Sequence, residues 1–164
     1  MDGDRIHATD GATEIGRFAL SEGVRAIQEQ TAEARAIKER IVTLIGLTAA
    51  ASAFLVGAAL QASTRGVRFY GPLLVGTLLF VALLLIGWRI LRPLPDWRSV
   101  VSAKTIMDDF DGPDGWTYLA GYYTKNFVNN EEKLQPLHRL LRIATMLVGA
   151  IFVSWIVLIW LVAS

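Results

Sequence analysis

The sequence predicts an all-α integral membrane protein: three transmembrane helices with a cytoplasmic helical stalk, formed by the N-terminal helix and the helix preceding the third span. Three observations predict it. Of 164 residues, 53% are hydrophobic and 19% charged, against about 25% charged in a typical soluble domain, and a core of this size could not hide that much apolar surface. No charge falls in residues 41–64, 69–88 or 143–164, windows of 24, 20 and 22 residues, and about 20 apolar residues cross the hydrocarbon core. All 15 carboxylates lie outside 40–95 and 133–164, the segregation that the cost of burying charge in lipid imposes. The same composition excludes a disulfide scaffold, with Cys 0, and the net charge of +1 gives no electrostatic footprint for nucleic acid.

Residues 1–40 are the cytoplasmic N-terminal region with an amphipathic helix. They hold eight acids and six bases, and their apolar run starts too late for a signal peptide, so the N-terminus is expected to stay on the cytoplasmic side. Residues 13–40 contain no proline. Leu20, Val24, Ile27, Thr31, Ala34, Ile37 and Ile41 step by 4, 3, 4, 3, 3 and 4, a narrow seam of coiled-coil type that runs on into the first span.

Residues 41–91 are a transmembrane hairpin with spans near 41–62 and 71–91. The first span is rich in small residues, and Ala49, Ala53 and Gly57 recur every four positions, a close-packing face. That face serves either packing within the monomer or a seam for self-association or pore lining. The second span is Leu/Val-rich and reads as lipid-facing. Pro93 and Pro95 end it, because proline cannot continue a helix.

Residues 92–142 are a cytoplasmic linker and helix. Ser99 to Met107 fits a short strand or a helix. Asp108-Asp109-Phe110-Asp111-Gly112-Pro113-Asp114-Gly115 is turn chemistry. Its spacing departs from a calcium loop, and Asp114 is placed to cap the next helix. Trp116, Ala120, Tyr123, Phe127, Asn130, Leu134, Leu137 and Leu141 step by 4, 3, 4, 3, 4, 3 and 4, a second heptad seam entering the third span at 143–164. A helix over 115–163 would be a rod of roughly 70 Å. Asn130 either holds a polar core position that fixes register or oligomer state or turns to solvent. Pro136 is a static kink or a hinge.

Lys and Arg set the orientation. Six precede the first span and eight lie between Arg89 and Arg142, against Arg65 and Arg68 in the short loop. The expected topology is a multi-pass protein of the bacterial inner membrane, N-terminus cytoplasmic and C-terminus outside, with Tyr70 and Trp160 at the outer interface and Trp88 and Trp97 near the inner one. Lys133, Arg139 and Arg142 would meet anionic membrane lipid.

No catalytic constellation is present: no Gly-rich phosphate loop, no nucleophile motif and no metal-spaced His/Cys cluster. His7 and His138 are isolated. The expected protein is not an enzyme and has no metal site. No span carries an ionisable residue at its middle, which argues against a proton-coupled transporter.

Ala36-Ile37-Lys38 leading into Leu44-Ile45-Gly46, the exit Ile90-Leu91-Arg92-Pro93, and the helix from Tyr118-Leu119 through Asn130, Leu134 and Leu137 into Leu141-Arg142-Ile143-Ala144 together resemble the Pycsar effector transmembrane domain family over about residues 30–163. The family's Ala-Asp-x-Lys lead-in lacks its Asp here. SLATT-type defence membrane effectors are a related alternative, with two spans rather than three.

The resemblance implies a membrane effector of a bacterial antiphage cyclic-nucleotide signalling system, with antiviral defence as its role. It would oligomerise or open to impair inner-membrane integrity, with a nucleotide cyclase encoded nearby as partner. A cyclic nucleotide messenger would be its ligand, met by Arg25, Arg35, Arg98 and Lys104 or by a partner protein; no resident cofactor is implied. Assembly or gating falls to Ala49, Ala53, Gly57, Asn130 and Pro136. The alternative from the residues alone is a non-catalytic membrane anchor or adaptor that binds a soluble partner through its helical stalk. A holin-like protein fits the long charged segments less naturally.

Overall fold

The computed structural model describes residues 3–61, 67–95, 97 and 115–163, with side-chain placement over 14–57, 70–95, 97 and 115–161. All regular structure among the described residues is helical: α1 (Gly3–Gln61), α2 (Val67–Leu91) and α3 (Gly115–Ala163). Each is long and apolar enough to cross a membrane.

The continuity expected of α1 and α3 is present. α1 runs from the N-terminal segment into the first span over 59 residues, and α3 covers 49. No proline interrupts α1. Pro136 lies inside α3, where it removes one amide donor. α2 begins at Val67, four residues before the predicted span, and holds Pro72 in an early turn. It ends at Leu91, where Arg92 N donates to the Trp88 carbonyl at 3.1 Å ahead of Pro93. The expectations for Ser99–Met107 and for the Asp108–Asp114 turn with its cap lie outside the described residues.

The chain divides into two compact units. Unit 1 comprises Met1–Ala34 and Leu94–Gln135; unit 2 comprises Arg35–Pro93 and Pro136–Ser164. Two of their three boundaries fall at Pro93 and Pro136, which the sequence marks as break points, and the third falls between Ala34 and Arg35 inside α1.

In unit 1, α1 and α3 run parallel. A Cβ on Gly16 would lie 2.9 Å from Trp116 Cβ, and one on Gly23 would lie 2.9 Å from Tyr123 Cβ. Both pairs are seven residues on from each other, so the helices keep register. The glycines let two aromatic residues close against the α1 backbone. Ile27, Leu119 and Tyr123 form the core, with Leu20, Val24 and Tyr122 packed on it. Arg17 covers the Trp116 ring at 5.5 Å, a cation–π contact.

In unit 2, α2 runs antiparallel between the other two helices' contacts. Gly87 lies against Ile45 and Ile41 of α1, and Gly76 lies 3.2 Å, measured from a would-be Cβ, from Trp155 of α3. Ile37, Ile41, Leu83, Ile90, Leu137, Ala144, Ile151, Trp155 and Leu158 are buried. Over most of its circumference α2 is exposed, with Leu74, Leu78, Leu85 and Trp88 outward. The exception is a seam of Gly76, Leu83, Gly87 and Ile90, which corrects the expectation of an entirely lipid-facing span: glycine lets the neighbouring helices approach there.

Candidate functional site: seams, polar ties and an uncovered helix face

The buried stripes follow the expected period and keep most of the expected residues: Ile27, Ala34, Ile37 and Ile41 on α1 and Tyr123, Asn130, Leu134 and Leu137 on α3 are buried. On α1 the stripe is Gly16, Leu20, Gly23, Ile27, Gln30, Ala34, Ile37 and Ile41, of which Leu20 and Gly23 are half-buried. Val24, a predicted member, is half-buried and packs on the core, and Thr31 is half-buried as well. Thr31 Oγ1 donates to the Ile27 carbonyl at 2.9 Å. On α3 the buried residues are Leu119, Tyr123, Asn126, Asn130, Leu134 and Leu137. Phe127, predicted for the seam, is exposed at its edge. What the predicted seams lack is Gly23, Gln30 and Asn126, inward positions that carry no apolar side chain to signal them.

Asn130 is fully buried, so it is a core residue and not solvent-facing. It belongs to a strict seven-residue series, Tyr123, Asn130, Leu137, Ala144, Ile151 and Leu158, each at most 4% exposed. A repeat of seven, against the 3.6-residue turn, is the signature of helices that wrap left-handedly.

Unit 1 carries a polar layer that sequence reasoning saw only in part. Gln30 Nε2 donates to the Phe127 carbonyl at 3.1 Å and to Glu131 Oε2 at 3.2 Å. Gln30 Oε1 and Asn126 Nδ2 are buried without a hydrogen-bond partner. Buried polar atoms left unpaired cost about 1–3 kcal/mol each, so this layer favours one register over raw stability.

Unit 2 has its own polar ties at the depth of the spans. Trp155 Nε1 donates to Ser52 Oγ at 3.0 Å, and Ser154 Oγ donates to the Pro72 carbonyl at 2.8 Å. Together they tie all three helices. The alternative partner for each group would be hydrocarbon, so small polar side chains act as links between spans. No short sequence motif marks them.

Two of the four expected messenger-binding bases, Arg25 and Arg35, fall among the described residues. Arg25 is exposed in unit 1 and pairs with Glu29 at 3.0 Å and Glu22 at 3.9 Å. The bond from Glu29, then the charge of Glu22, raises its pKa above the ordinary value. Arg35 is exposed in unit 2, and Arg98 and Lys104 lie outside the described residues. Pro136 is exposed on α3. Of the assembly residues on α1, Ala49 is half-buried while Ala53 and Gly57 are exposed. A Cβ on Gly57 or Gly46 would meet nothing within 4 Å, so among the described residues nothing in unit 2 packs against these two positions.

Comparison with family models, curated proteins and solved structures returns no match to the chain.

The arrangement can hold helices in register and present an apolar face of small residues to another helix.

Proposed function

We propose that this chain is a membrane effector of a bacterial antiphage cyclic-nucleotide signalling system. It sits in the inner membrane with the N-terminus and residues 92–142 cytoplasmic and the C-terminus outside, and it oligomerises or opens to impair membrane integrity. The observation that carries the reading is the uncovered α1 face of Gly46, Ala50, Ala53 and Gly57. Small residues at such spacing let helices of separate copies approach closely. The continuity of α1 and α3 through both units supports a route by which a cytoplasmic event reaches the spans. A cyclic nucleotide is the messenger, met by Arg25, Arg35, Arg98 and Lys104 or by a partner protein, and a nearby-encoded cyclase is its source.

Co-expression with the cognate cyclase, with membrane potential recorded after phage challenge, tests this: depolarisation is expected, and a potential that never falls sinks the reading. Gly57→Leu should abolish toxicity while leaving insertion intact.

A second reading is a non-catalytic anchor or adaptor for a soluble partner. The charge of unit 1, fourteen acids against seven bases, favours it by suiting a basic partner. Crosslinking in membranes separates the two: homo-oligomers of the chain support the effector, and a heteromeric complex around a monomeric membrane part supports the adaptor.

A further inference from the structure

One end of unit 2 concentrates positive charge. Unit 2 holds nine of the 16 Lys/Arg residues and one of the 15 acids, Glu39. Seven of those bases lie at a single end of its three helices: Arg35, Lys38 and Arg40 on α1, Arg89 and Arg92 about the end of α2, and Arg139 and Arg142 on α3. The contacts fix this placement. Gly87 of α2 packs on Ile41 and Ile45, and Trp155 of α3 bonds Ser52 of α1, so α1 and α3 run together and α2 runs against them.

None of the seven pairs with a carboxylate among the described residues. Six are exposed and Lys38 is half-buried. Arg40, Arg89 and Arg142 are each the charge that borders an uncharged window of the sequence, which levels them with lipid headgroups when the spans cross a membrane.

At the same end, α1 and α3 leave an open groove of about 560 Å³, lined by Ala36, Arg40, Thr43, Leu44, Leu141 and Thr145, with Glu39 at its side. Thr43 and Thr145 return their hydroxyls to the carbonyls of Glu39 and Leu141, each at 3.0 Å. Those hydroxyls need no further partner, so the wall below Arg40 is largely apolar.

We infer that this groove seats one anionic phospholipid, its headgroup phosphate against Arg40 within the basic collar and an acyl chain along Leu44, Leu141 and Thr145. The charge balance of seven bases to one acid selects an anionic headgroup over a zwitterionic one, and basic pockets between spans are known headgroup sites as a physical class. Glu39, flanked by Lys38 and Arg40, is outweighed. The inference needs only that the three helices cross a membrane, and it stands or falls separately from the antiphage reading.

The test is native mass spectrometry of the full chain released from micelles, titrated with phosphatidylglycerol, phosphatidylethanolamine or phosphatidylcholine, and separately with inorganic phosphate. Phosphatidylglycerol should be retained best. Arg40→Gln should weaken its retention about fivefold, and Arg40→Gln with Arg142→Gln by more than tenfold, in line with roughly 1 kcal/mol per base near a headgroup. Thr145→Trp, which fills the groove and keeps every charge, should also displace it, whereas Arg25→Gln in unit 1 should change nothing. Unchanged helical circular dichroism and melting separate loss of the site from loss of the fold. A preference for phosphatidylethanolamine, equal retention of all lipids, displacement by inorganic phosphate, or retention unaffected by Thr145→Trp would each overturn the inference.

Discussion

Gly23 and Gly121 are both helical glycines of unit 1, yet their surroundings demand opposite outcomes. A Cβ on Gly23 would press on Tyr123 Cβ at 2.9 Å, while one on Gly121 meets nothing within 4 Å. Gly23→Ala should destabilise the protein by about 1–3 kcal/mol through overpacking, and Gly121→Ala should stabilise it by up to about 1 kcal/mol through helix propensity. Thermal melts of the two variants in the same detergent check the pair; a gain from Gly23→Ala would refute the close approach. Asn126 offers a second test. Its buried amide nitrogen has no partner, so Asn126→Leu should raise stability by about 1 kcal/mol, read as a shift in melting temperature. A loss of that size would show that the nitrogen is satisfied in the native protein. These residues were the least legible in the sequence. Gly16, Gly23, Gln30 and Asn126 interrupt an apolar pattern, and their inward placement depends on which side chains lie opposite on another helix.

The helices themselves were legible. Charge-free windows, the Pro93–Pro95 stop and the proline-free stretch 13–40 predicted α1 from residue 13 onward, though it starts at Gly3, together with the end of α2 and the whole of α3. The start of α2 was not, because the span was bounded by the uncharged window after Arg68, whereas the helix begins at Val67 and takes Arg68 into its first turn. The seams were legible in period and in most of their members, with Phe127 the predicted residue left exposed. What joins the spans was not legible, because Ser52, Ser154, Gly76 and Trp155 are ordinary residues until the packing brings them together. At this scale the structure separates two kinds of link. Ser52→Ala nearly keeps the side-chain volume and loses the bond from Trp155 Nε1, so it should cost about 0.6 kcal/mol, the typical value for a hydrogen bond between spans. Gly76→Leu places a side chain against the Trp155 ring and should cost about 1–3 kcal/mol. Unfolding in mixed micelles measures both, and a larger cost for Ser52→Ala would reverse the ranking of close packing over polar tie.

For the molecule as a whole, the net charge of +1 conceals a partition: fourteen of the 15 acids belong to unit 1 and nine of the 16 bases to unit 2. The proposed topology puts unit 1 in the cytoplasm. Since the chain has no cysteine, single substitutions report location cleanly. Ser21→Cys and Lys125→Cys should resist an impermeant thiol reagent in intact spheroplasts and react after lysis, while Ser63→Cys should react before it; the reverse pattern would invert the topology. The seven-residue series from Tyr123 to Leu158 gains a further meaning in that topology, for a single stripe then serves in two solvents. At Tyr123 water drives the side chains together, and that drive weakens on cooling. At Ile151 and Leu158 the surrounding lipid is as apolar as the stripe, so cohesion comes from packing and from the Ser52 and Pro72 bonds. Temperature and solvent additives therefore act on the two ends of α3 unequally, and chilling loosens the aqueous end while the buried end in lipid keeps its grip.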